Sequence, residues 1–504
     1  MTRRLAFCVF GISALVCGAV AARSEVTLAP LFRDGAVLQC GQPVPVWGTA
    51  APGETVTVHF ADQSVSAVAD VAGRWRTELA PLAASGTGRD LTAGGTVVRD
   101  VVVGEVWLCL GQSNMEYPLK NAPDAAKLAA ESHFPLIRQF KVANFSADTP
   151  ASTVKGAWTA CAPETAGAFT AVGYHFARVL HAKLDVPIGL INCTWGGTRI
   201  EAWMSADALR TFPAVAERWK TALEELPAKQ AAYEQARAAF KQKAREAKAA
   251  GQAIDLKKAP QPPPGPGTRE APSGLFNGML APLIPYGIRG MLWYQGESNT
   301  GSAGTYAAMF PAHVADLRQR WNSDKIPFYF VQLPNYVSAS DKSGRQWAEF
   351  RAAQARVLSL PATGMAIGID GESPIGHPAD KTAIGRRLAR LAEVRVYRSA
   401  QGDASGPLAA SATREDGAVR VRFTEASSGL VIKGPELQGF EAAGPDGTFH
   451  PAEARIDGPD VVITCPAVPV PARVRYAWAN NPPATLYNRD ALPASPFDVE
   501  VSAP

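Results

Sequence analysis

Cysteine is scarce in this 504-residue chain: seven residues, widely scattered. That scatter excludes a disulfide-stapled scaffold and offers none of the close pairs that a zinc site needs. An excess of one charge is lacking too. Fifty Lys and Arg against 46 Asp and Glu leave +4, which argues against a nucleic-acid partner, since such partners demand a strong basic patch. Beyond the first residues no apolar run is long enough to span a bilayer. What remains is a globular composition, 47% apolar and 19% charged, with 44 Gly and 40 Pro supplying turns and long loops. A chain of this length exceeds one ordinary core and predicts two to four domains.

The first 24 residues are set apart. Arg3 and Arg4 precede the apolar stretch Leu5–Val16, and the small residues Ala19, Ala21 and Ala22 follow. This reads as a secretory signal, 1–24, cleaved near Ala21 or Ala22, and it predicts a secreted or periplasmic protein with no membrane contact after removal. Val16 before Cys17 argues against a lipoprotein. Losing Arg3 and Arg4 takes +4 to +2. Five cysteines then remain (Cys40, Cys109, Cys161, Cys193 and Cys465), an odd number that reads as buried small hydrophobes.

Residues 25–103 read as short strands between Gly and Pro turns, as in Val44–Trp47, Thr55–His59 and Val65–Val68, and predict a small β-sandwich. Residues 104–398 change character. Continuous apolar runs at Val106–Leu110, Val186–Ile191, Gly290–Tyr294, Phe328–Gln332 and Met365–Ile369 suit strands buried on both faces. Helical periods lie between them, at 169–184, 306–321, 346–357 and 381–394. The alternation predicts an α/β parallel sheet. Residues 214–267 interrupt it with a polar, helix-forming stretch that ends in the proline-rich Pro260–Gly267. A solvated spacer and a substrate-facing lid explain this insertion equally well. Residues 399–504 return to β patterns and predict a second β-domain.

Gly111-Gln-Ser-Asn-Met115 directly follows the apolar strand ending at Leu110. A serine at the carboxyl end of a central strand sits in the crevice where α/β sheets bind ligands. The turn is not the Gly-x-Ser-x-Gly elbow of α/β-hydrolases, so it implies another serine-hydrolase fold. Three more loops leave the same end of the expected sheet: Thr194–Thr198, Tyr294–Asn299 and Asp370–Pro378. Together they bring a serine, backbone amides at glycines, a side-chain amide, and His377 near carboxylates. Those are the parts of an acyl-transfer site. The other six histidines lie in β segments, on helices or away from these loops, and read as structural.

With these residues in view, the chain resembles the sialate O-acetylesterase family of SGNH hydrolases, carbohydrate acetylesterases. The likeness runs through Gly104–Trp107, Gly111–Met115, Phe169–Tyr174, Trp195–Trp203, Phe276–Met279, Trp293–Asn299, His377-Pro378 and Leu486–Asn488, in order. It implies an SGNH-hydrolase-like parallel sheet sandwiched by helices, flanked by N-terminal and C-terminal β-domains. It implies Ser113 as nucleophile and His377 as base. The oxyanion donors would be the Ser113 N–H, Gly197 (or Gly196) and the Gln295 side chain. It requires no metal or cofactor. The family pattern often puts an aspartate three residues before the histidine, where this chain has Pro374; Asp370 and Glu372 are the nearest carboxylates, and a Ser–His dyad is the alternative. Trp195, Trp203 and Tyr294 stand beside the site motifs as sugar-stacking or core residues, and Glu297 as a substrate or loop contact. The implied substrate is an acetylated carbohydrate, 9-O-acetylated sialic acid first and acetylxylan or another polysaccharide second. A reading of another class, a carbohydrate-binding protein whose hydrolase site has decayed, is opposed by the intact Ser113, Gln295 and His377.

Overall fold

The computed structural model describes residues 25–255, 258–337, 341–371 and 375–503. The expected leader, 1–24, and the candidate Glu372 lie outside the described residues.

The centre is a sheet built on Thr96–Gly111 (β1), Phe134–Lys141 (β2), Trp158–Cys161 (β3), Ile188–Thr194 (β4), Gly290–Tyr294 (β5), Phe328–Val331 (β6) and Thr363–Ala366 (β7). Their order is β3-β2-β4-β1-β5-β6-β7. All neighbours run parallel except β3, which pairs antiparallel with β2 at the edge. After β1 the chain builds toward one edge, and at β5 it resumes on the other side of β1. Strand β1 is therefore the topological switch point, where a crevice opens beyond the carboxyl ends.

Helices cover both faces, and the two large tryptophans show why. Trp107 packs on Phe176 of the Ala171–Leu184 helix, with ring centroids 5.0 Å apart. Trp293 lies opposite Leu110, one step out of phase with Trp107, so it points to the other face. There it meets Phe310 of the Ala303–Arg320 helix and Trp203. Both tryptophans are fully buried. Truncating either costs about 3–5 kcal/mol.

Strand β1 is longer than its apolar run. Its first half pairs with Ser85–Ala93 and Val37–Gln39 of the amino-terminal β segment, and its second half lies in the parallel sheet. The expected boundary at 103/104 thus falls inside one continuous 16-residue strand. The remaining early strands form a sheet of Thr27–Leu28, Val44–Thr49 and Arg74–Leu79, and a ladder of Gln63–Val68 on Thr55–Phe60 on Ser85–Ala93. After residue 407 an eight-stranded sheet and a two-stranded ribbon follow. This carboxy-terminal part is tied to the centre by the fully buried Arg351, which donates to the carbonyls of Leu333, Pro334 and Ala479. Burial pushes the Arg351 pKa down to about 9.

The insertion is one helix, Pro213–Ala249, about 55 Å long. Only Val215 on it is buried. The five cysteines among the described residues are all free; Cys40 is half-buried and the other four are buried. Among the described residues no helix is long and apolar enough to cross a membrane.

Candidate active site

The register of the sheet assembles the site. Gly111 lies level with Thr194 on one side and Tyr294 on the other. Three loops therefore leave the sheet at the same height, carrying Ser113, Gly196-Gly197 and Gln295–Glu297. Gly111 has φ +129°, and a Cβ there would meet the Tyr294 carbonyl at 2.2 Å; only glycine permits so close a turn. Ser113 opens the four-residue helix Ser113–Glu116, so its N–H has no acceptor within that helix. The Gln112 side chain braces the turn by accepting from the N–H groups of Gly296 and Ser298, at 3.4 and 3.3 Å.

His377 arrives from the edge strand β7. Its Nε2 lies 2.6 Å from Ser113 Oγ. Partial burial and, second, the Lys381 charge hold the imidazole pKa below its ordinary value. The ring is therefore neutral near pH 7 and able to accept a proton. Both residues face a cleft of about 540 Å³, shared with Trp195, Gly197, Arg269 and Glu297.

Beneath the serine, Asn114 links three loops. Its Nδ2 donates to Glu297 Oε1 and to the Gly376 carbonyl, the latter at 2.8 Å, while Lys381 Nζ donates to its Oδ1. Burial raises the Glu297 carboxyl pKa. Burial lowers Lys381 to about 8. Its ammonium sits over the rings of Tyr117 and Tyr294. Asn114 and Lys381 carry no obvious signal in the sequence beyond lying inside motifs.

Several expected residues stand elsewhere than the sequence reading put them. Asp370 is not the partner of His377. Both its oxygens bind the Arg387 guanidinium, at 2.7 and 2.6 Å, and Tyr487 Oη donates to it at 3.1 Å. Burial opposes its charge, yet these bonds outweigh burial and hold the carboxyl below the usual range. Gln295 does not line the cleft either. It is fully buried, and its Nε2 donates to the Thr198 carbonyl and to Asn299 Oδ1, at 3.1 and 2.8 Å. Both amide hydrogens are thus committed to holding the 194–203 and 294–299 loops together. Tyr294 and Trp203 are buried core residues, which leaves Trp195 as the expected aromatic on the cleft wall. Glu297 reaches the cleft but spends one carboxylate oxygen on Asn114.

The two glycines separate. Gly196 N–H is taken by Glu116 Oε2 at 2.6 Å. No hydrogen bond among the described residues takes the Gly197 N–H. Gly197 has φ +72°, and a Cβ there would stand 3.3 Å from the Arg269 guanidinium carbon. Among the described residues no cluster of His, Cys, Asp and Glu could hold a metal ion.

Comparison with known proteins places the chain among carbohydrate esterases. The family described as "Carbohydrate esterase, sialic acid-specific acetylesterase" matches residues 103–235 and 278–392. A sialate O-acetylesterase of Rattus norvegicus is 28% identical over 91% of this chain and 91% of its own length. One from Mus musculus is 27% identical over the same shares. The crystal structure of a carbohydrate acetylesterase from Xanthomonas citri is 37% identical, with a TM-score of 0.79 over 94% of this chain and 99% of that one. The paired matches run through the loops that carry Ser113, Gly197 and Glu297, and the chain belongs to the carbohydrate esterase family of sialic acid-specific acetylesterases, as a carboxylic ester hydrolase that acts on carbohydrate acetyl groups.

Proposed function

We propose that this enzyme removes acetyl groups from sugars through an acetyl-serine intermediate, with Ser113 as nucleophile and His377 as general base and acid. The observation that carries the reading is the 2.6 Å contact of Ser113 Oγ with His377 Nε2 at the mouth of the cleft. In the first half-reaction His377 takes the Ser113 proton as Oγ attacks the acetyl carbonyl. The Ser113 and Gly197 N–H groups hold the resulting oxyanion. The C–O bond to the sugar then breaks, and the sugar oxygen leaves with the proton from His377. In the second half-reaction water gives its proton to His377 and attacks the acetyl-serine, releasing acetate and restoring Ser113.

With Asp370 bound to Arg387, we assign Asp370 as a structural residue and leave the orientation of His377 to its own loop, which also carries Glu372. The architecture is read as the SGNH type. The leader 1–24 is read as a secretion signal, which gives a secreted or periplasmic enzyme. Among substrates, a 9-O-acetylated sialic acid is favoured by the sialate O-acetylesterase relatives. A second reading, acetylated polysaccharide, is favoured by the higher identity to the Xanthomonas citri carbohydrate acetylesterase. Acetate release measured across acetylated sialic acids and acetylated xylans, with Ser113→Ala as control, tests both. Release from sialic acids alone supports the first, and release from xylans alone supports the second. Release that survives in Ser113→Ala contradicts the mechanism.

A further inference from the structure

The insertion leaves the catalytic sheet after Trp203 and returns to it at the cleft. Its long helix is almost wholly exposed, but its base is fixed. Arg218 near the start donates to the buried Glu201. On the return, Ser273 N–H donates to the Glu201 carbonyl at 2.9 Å. The proline-rich segment packs close to the helix, where a Cβ on Gly265 would lie 3.0 Å from Leu226. Thr268 then closes a tight turn on Gly265, donating Oγ1 to its carbonyl at 2.7 Å. The next residue, Arg269, stands just past the end of the insertion and reaches the serine cleft.

Arg269 meets one peptide group in particular. Its Nη1 donates to the Gly196 carbonyl at 3.3 Å, while its Nε is held by Glu270 at 2.9 Å. The Gly196 carbonyl and the Gly197 N–H belong to the same peptide plane and, in a trans peptide, point in opposite directions. A cation on the carbonyl oxygen draws electron density through that plane and strengthens the N–H as a donor. On the other side of Gly196, its own N–H is fixed by the Glu116 carboxylate. The turn is thus gripped by an anion before the peptide and a cation on it, and among the described residues no hydrogen bond takes the Gly197 N–H.

We propose that Arg269 is a positioning residue for the oxyanion hole: the insertion delivers it to the Gly196–Gly197 peptide, where it orients and polarises the Gly197 N–H for the tetrahedral intermediate. The proposal rests on Ser113 being the nucleophile. It gives the insertion a catalytic role that needs no contact between its helix and the sugar.

The test compares Arg269→Gln and Arg269→Lys with the wild type on p-nitrophenyl acetate and on an acetylated sugar. A weakened donor lowers kcat by about tenfold or more in Arg269→Gln, on both esters, with KM little changed. Lysine retains a cation able to reach a carbonyl, so Arg269→Lys recovers part of the loss. The acid limb of the pH profile stays in place, because His377 is untouched. If Arg269→Gln fails to fold, Glu116→Gln tests the other grip on the same turn and shows the same kcat loss on both esters. An unchanged kcat on p-nitrophenyl acetate, with the whole effect in KM for the sugar, overturns the proposal and makes Arg269 a substrate contact. Ser113→Ala run alongside separates the two failures: activity surviving there sinks the mechanism itself, and its loss leaves the Arg269 result decisive.

Discussion

Asn114, the neighbour of Ser113, donates its side-chain amide to the carbonyl of Gly376, the neighbour of His377, at 2.8 Å. The nucleophile turn and the base loop are therefore fastened to each other one residue away from the chemistry. Without this link the 2.6 Å contact depends on a loop that leaves the edge of the sheet. Asn114→Ala is expected to keep the fold and lower kcat by roughly 10²-fold, the cost of a misplacement of about 1 Å. Steady-state kinetics on p-nitrophenyl acetate check this, and wild-type kcat in the variant contradicts it.

The acid limb of activity reports the base. His377 must be neutral to accept the Ser113 proton, so activity is full above its pKa and is lost as pH falls through it. Partial burial and the Lys381 charge put that pKa below the ordinary histidine value of about 6.5. The limb of kcat/KM is expected below that pH. Lys381→Met removes the second cause only, so the limb moves upward in pH. A limb that does not move, or moves down, contradicts the assignment.

Asp370 offers a test in which stability and catalysis part. Asp370→Asn leaves the partly buried Arg387 without its carboxylate and is expected to cost about 3 kcal/mol of stability. Its kcat stays close to wild type, because the carboxylate is spent on Arg387 and Tyr487. The folded-state pKa is depressed, so this contribution is present above the unfolded value of about 3.9 and is lost as pH falls below it. Thermal melts should therefore converge for the two proteins in acid. A collapse of kcat with an unchanged melt would return Asp370 to the catalytic machinery.

The strands and helices of the centre were legible because period and apolar runs are local signals. The helix expected at 306–321 is found at Ala303–Arg320, and the serine, histidine and glycine loops come together as the strand ends predict. What was not legible is set by register and by partners distant in sequence. Nothing in Val97–Val106 marks a boundary, since β1 passes from one sheet to the other without a turn. Gln295 and Asp370 look like catalytic groups by type and neighbourhood. Only the three-dimensional placement of Thr198, Asn299, Arg387 and Tyr487 shows that their hydrogen bonds are already used. Arg269 had no signal at all, because it follows a long polar helix and acts on a glycine 73 residues earlier.

Gln295→Ala follows from the same placement. It leaves the Thr198 carbonyl without its donor, while Asn299 Oδ1 keeps the Ile200 N–H, and an unsatisfied buried group costs about 1–3 kcal/mol. The expected result is a lower melting temperature, with kcat falling by less than the roughly 10²-fold of a lost oxyanion donor. The reverse pattern, a large kcat loss at full stability, would mean that its amide turns to the serine during catalysis.

The central claim is the acetyl-serine at Ser113, and rapid-quench mass spectrometry during turnover of p-nitrophenyl acetate tests it most directly. The account predicts one added acetyl group on the peptide that contains Ser113, appearing before steady state and absent in Ser113→Ala. An active enzyme that carries the acetyl group on a residue other than Ser113, or a Ser113→Ala variant that still turns over at the wild-type rate, would contradict it.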